Sequence, residues 1–65
     1  MVISMKVKVF DEMHERDLEN SINNFIAPIP IEDVIDIKYQ VSISMFSEEQ
    51  IYCFSAMVIY KEQDE

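Results

Sequence analysis

Ile51-Tyr52-Cys53-Phe54-Ser55-Ala56-Met57-Val58-Ile59-Tyr60 decides the fold, because its apolar residues fall on both parities. Side chains of a strand alternate between faces. Ile51, Cys53, Met57 and Ile59 therefore point one way, and Tyr52, Phe54, Ala56, Val58 and Tyr60 the other. Only Ser55 interrupts. A strand apolar on both faces is covered on both. One small helix covers one face of one small sheet, so the other face needs another copy, a partner or a ligand. The stretch predicts a central strand in a binding or assembling protein.

Working outward, Ile35, Ile37, Tyr39, Val41, Ile43 and Met45 alternate with Asp36, Lys38, Gln40, Ser42 and Ser44, a long strand with one apolar and one polar face. Ser47-Glu48-Glu49 reads as the turn before the central strand. Ile3, Met5, Val7 and Val9 alternate with Ser4, Lys6 and Lys8, which predicts a half-buried first strand. Leu18, Ile22, Phe25 and Ile26 recur at helical spacing, one apolar stripe on a helix from about Glu12 to Ile26. Asp11 is its expected cap, with Glu12 and Glu15 at its positive end. Ala27-Pro28-Ile29-Pro30 stops it, since proline lacks a donor and restricts the residue before it. Lys61-Glu62-Gln63-Asp64-Glu65 reads as a solvated tail.

The expected architecture is an α+β fold in one domain spanning 1–65, of order β-α-β-β. The doubly apolar third strand fits best in the middle, giving an antiparallel sheet of spatial order 1-3-2 with a helix on one face and an oligomer contact through the other. An even loop, pairing Met45 with Gln50, turns Tyr52, Phe54, Ala56, Val58 and Tyr60 toward the helix with Tyr39 and Val41. An odd loop reverses that. The even loop gives the core its aromatics and is the preferred reading.

A chain of 65 residues buries only about 60% of its unfolded surface and is marginal alone. Disulfides, metals and oligomerisation are the usual remedies. One cysteine, Cys53, leaves no internal disulfide, and one histidine, His14, leaves no common Cys/His zinc cluster. Oligomerisation is the remedy left. A lone buried cysteine suits a reducing compartment, and no apolar segment suits a signal peptide or membrane span, so a cytoplasmic location is expected. The formal net charge of −8 disfavours nucleic-acid polymers and anionic membranes. Glycine is absent, which removes P-loops and dinucleotide fingerprints.

The constellation most suggestive of chemistry is basic. Lys6, Lys8 and Lys38 lie on the polar parity of strands one and two, beside Gln40, Ser42 and Ser44. With strand three between them they would edge its outer stripe, about 10 Å apart. Such a face suits a small anionic aromatic ligand, for instance a nucleotide, with stacking on an aromatic such as Tyr39 and lysines meeting phosphate. The expected ligand residues are Lys6, Lys8, Lys38, Gln40, Ser42 and Tyr39, and the expected oligomer interface is Ile51, Cys53, Met57 and Ile59. Asp11, Glu12, His14 and Glu15 cluster at the helix start, where capping and dipole compensation explain every carboxylate. No cation adjoins Cys53 in sequence to activate its thiol. No catalytic residue, metal or cofactor is assigned, and the expected protein is not an enzyme.

Lys6-Val7-Lys8-Val9-Phe10-Asp11-Glu12, His14-Glu15, Asp17-Leu18-Glu19, Val34-Ile35-Asp36-Ile37-Lys38-Tyr39-Gln40 and Gln50-Ile51-Tyr52-Cys53-Phe54-Ser55-Ala56, which runs on to Tyr60, carry a likeness over nearly the whole chain. The chain resembles the small sporulation-associated proteins of endospore-forming bacteria, made in the mother cell. The resemblance implies a cytoplasmic bacterial protein or a viral relative in a phage-infected host, and brings no catalytic motif. In element order alone the chain is similar to dodecins, small flavin-binding shells. It has no tryptophan to stack on flavin. Phages of such bacteria also encode small acidic oligomers that sequester nucleotide immune signals, and the size and charge are similar. Two functions follow as expectations: a homo-oligomer sequestering a small anionic ligand, or a sporulation interaction module without one.

Overall fold

The structure is a computed structural model describing residues 2–46 and 49–64. Its elements are β1 (Val2–Glu12), α1 (Glu15–Ile26), a single 3-10 turn (Ile31–Asp33), β2 (Val34–Phe46) and β3 (Glu49–Asp64). The sheet has the order β1-β3-β2, and both outer strands run antiparallel to β3. The expected order and the central place of the doubly apolar strand are both met. Met45 pairs with Gln50, as the even loop requires. Of the expected turn, Ser47 and Glu48 lie outside the described residues, and Glu49 opens β3.

Several boundaries differ from expectation. β1 runs on through Glu12, so Asp11 caps nothing. It pairs with Ser55, whose hydroxyl donates to Asp11 Oδ1 at 2.9 Å. The helix starts at Glu15 behind His14, which makes no side-chain cap bond. Glu12 still meets the helix, accepting from the Ser21 hydroxyl at 3.5 Å. At the other end Lys61, Glu62 and Gln63 are strand rather than tail, because they pair with Met5, Ser4 and Ile3 and satisfy that stretch of β1. The register shifts between Val34 and Asp36, which drops Ile35 from the ladder.

Directly paired residues of antiparallel strands share a face, so the register assigns every strand residue to a side. Phe10, Ala56 and Tyr39 form one row across the sheet, and Lys8, Val58 and Ile37 the next. The helix packs on this side, over β1 and β3. Phe25 meets Phe10 edge to face at 5.7 Å between centroids and Tyr60 at 5.2 Å. Among the described residues the buried hydrophobics are Leu18, Ala56 and Val58. Leu18 lies on the stripe that the helical spacing picked out, with Ile22, Phe25 and Ile26 half-buried beside it.

The helix covers only part of its side. The β2–β3 hairpin runs on past it, in a molecule 54 Å long and 17 by 16 Å across. Tyr52 and Phe54 stack on this extension, centroids 6.3 Å apart. Beside them Tyr39, Val41, Ile43 and Met45 stay exposed.

Candidate binding faces of the sheet

β1 and β2 are both amphipathic, but their apolar rows lie on opposite sides of the sheet. Ile37, Tyr39, Val41, Ile43 and Met45 share the helix side with Val58, Ala56, Phe54 and Tyr52. Ile3, Met5, Val7 and Val9 share the far side with Ile59 and Met57. The first strand was expected to turn this row into the core. It does not: Met5 is 72% exposed and Val7 56%. The cause is Phe10, which is on the opposite parity and packs against Phe25.

The same parity separates the lysines. Lys6 and Lys8 pair with Tyr60 and Val58 and stand on the helix side, while Lys38 pairs with Met57 and stands on the far side. Lys6, Lys8 and Lys38 therefore do not edge one face, contrary to the sequence expectation. Lys8 holds its ammonium 5.8 Å from the Phe10 ring centre, within cation–π range. Lys38 sits 3.3 Å from Asp36 Oδ2 on its own strand, an exposed pair.

Of the expected ligand residues, Lys38, Gln40 and Ser42 stay together on the far side, and Tyr39 borders them from the other parity. Lys38, Tyr39 and Gln40 line a shallow depression of about 260 Å³ with Val9, Ser55 and Met57. Ser55 is fixed there by its bond to Asp11, and Cys53 Sγ lies 3.9 Å from Ser55 Oγ. Of the expected interface residues, Ile51, Cys53, Met57 and Ile59 all fall on the far side by register. The β1 row that joins them, Ile3, Met5, Val7 and Val9, is the part sequence reasoning missed. The one signal for it was Phe10, a large aromatic just before the helix.

The acidic cluster is dispersed. Asp11 lies on the far side and Glu12 on the helix side. Among the described residues no group of three His, Cys, Asp or Glu side chains is placed to hold a metal. No described helix is long and apolar enough to cross a membrane.

Residues 4–62 match the family model described as sporulation protein Cse60. The chain is 51% identical over 59 residues to sporulation protein cse60 of Bacillus subtilis strain 168, covering 89% of this chain and 98% of that one. No solved structure matches it. A match that runs from near the start of β1 nearly to the end of β3 takes in the helix, nearly all of both apolar rows and the whole of β2, and the chain belongs to the Cse60 family of sporulation proteins.

Proposed function

We propose that this chain is a non-enzymatic interaction module of sporulation that works as a homo-oligomer. The observation that carries the reading is the exposure of apolar rows on both sides of one small sheet. Tyr39 at 58%, Met45 at 64%, Met5 and Val7 are far more exposed than a lone soluble domain of this size tolerates in rows. Exposed apolar rows of this extent mark association surfaces, and a small chain with a thin core gains stability by covering them. The acidic charge keeps the free chain soluble until it assembles.

The test is Met57→Ser with Ile59→Ser, read by analytical ultracentrifugation of the full chain. The expected result is a smaller species with the fold kept by circular dichroism. A double variant that assembles like the wild type would count against the far side as an assembly surface.

The depression at Lys38 favours a second reading, the binding of a small anionic aromatic ligand by Lys38, Tyr39 and Gln40, with Ser42 one row away. Asp36 already holds the Lys38 ammonium, and Lys6 and Lys8 stand on the other side, so charge for a phosphate is sparse. Calorimetric titration with a nucleoside monophosphate decides it. Binding lost in Lys38→Glu supports this reading, and no heat with the wild type removes that ligand class.

A further inference from the structure

The side of the sheet away from the helix is close to electrical balance, on a chain of net charge −8. By register its charged residues among those described are Asp11, Asp36, Glu49, Lys38 and Lys61, three acids and two bases. Most of this surface repels a second copy of an acidic chain, whereas this face does not. The ladder also orders the face into rows about 7 Å apart, two residues of rise. Val7, Ile59 and Asp36 form one row, and Val9, Met57 and Lys38 the next. Beyond the first lies the row of Met5 and Lys61, and beyond the second the row of Asp11, Ser55 and Gln40.

Building on the homo-oligomer reading above, we propose that two copies pack this face against itself, about a two-fold axis that crosses the strands between the Val7 and Val9 rows. An axis along the strands would lay the apolar β1 row of one copy on the polar β2 row of the other. An axis across the strands lays each strand on its own counterpart, so apolar meets apolar. Placed between these two rows, it sets Val7 against Val9 of the second copy and Ile59 against Met57. The same operation sets Asp36 against Lys38 of the second copy, and Lys38 against its Asp36. Lys61 then lies over Ser55 of the second copy, beside its Asp11. Asp36 and Lys38 thus each meet an opposite charge of the second copy, while Asp11 lies over its Met5 and Glu49 falls beyond the overlap. An axis through the Val9 row would instead oppose Lys38 to Lys38, and one through the Val7 row Asp36 to Asp36.

Overlap about this axis is partial. It takes in β1 from Ser4 to Glu12, β3 from Tyr52 to Asp64 and only the start of β2. At about 3.3 Å rise and about 4.8 Å spacing that is on the order of 400 Å² a copy and 850 Å² for two, the size of a weak, reversible contact.

Sedimentation equilibrium of the full chain tests this with four variants. Val7→Lys buries an unpaired charge and should weaken self-association by about 100-fold. Val41→Lys, on the helix side, should leave this contact in place. Lys38→Asp sets like charges together at two symmetric points and should weaken it by about tenfold or more. Asp36→Lys combined with Lys38→Asp should restore it to near the wild-type value. The charge variants touch only exposed groups and decide the matter even where Val7→Lys fails to fold. A double variant that stays as weak as Lys38→Asp overturns the placement of the axis. Wild-type association of both Val7→Lys and Lys38→Asp, with dissociation of Val41→Lys, overturns this face and leaves the homo-oligomer reading standing. A monomeric wild type overturns both.

Discussion

Phe10 and Phe25 meet edge to face, 5.7 Å between ring centres, and this contact sets which side of β1 the helix covers. Once Phe10 is inward, the two-residue period of the strand turns Ile3, Met5, Val7 and Val9 outward. Lys6 and Lys8 follow Phe10 to the helix side. One aromatic pair thus places an apolar row on the molecular surface.

Phe25 is the shared ring of this arrangement, touching both Phe10 and Tyr60. Phe25→Ala should lower stability by about 3 kcal/mol, through lost burial and the void left behind. Urea unfolding followed by circular dichroism checks this. An unchanged midpoint would mean that the ring pair does not hold the helix to the sheet.

Leu18 is the helix residue buried against the sheet, only 3% exposed. Leu18→Ala should cost about 2–5 kcal/mol. Leu18→Met, of similar volume, should cost less than about 1.5 kcal/mol. Thermal unfolding at fixed protein concentration separates the two, because association also shifts the midpoint. Equal losses would show that Leu18 does not fill a closely packed site.

Ser55 ties the end of β1 to β3 through Asp11. Ser55→Ala removes a bond at an exposed site and should cost about 0.5–1.5 kcal/mol. Amide exchange should quicken at Asp11 and Glu12 while the protection of Val58 is little changed. Uniform quickening along β3 would show that the bond supports the whole sheet rather than one end of it.

The order of elements, the central strand and the helical stripe were legible because each follows from local periodicity. Ile51 to Tyr60 is apolar on both parities, and only a middle place in the sheet uses both. The even hairpin loop was legible too, since it gives Phe54, Val58 and Tyr60 to the core. The side taken by β1 was not. Alternation tells which residues share a face but not which face meets the helix. That depends on Phe10, which lies one step beyond the alternating run Ile3 to Val9 and on the other parity. A strand that ends at Val9 gives Phe10 no role and puts the three lysines on one side. Lys61 to Gln63 have the composition of a tail. Their backbone is needed to pair the start of β1.

Native mass spectrometry of the full chain, purified from an endospore-forming host under gentle conditions, tests most directly the claim that exposed sheet rows are covered by other copies. The expected spectrum holds a multimer of even copy number, with little free chain at micromolar concentration. A spectrum of monomer alone would contradict the account, since both apolar rows would then face water.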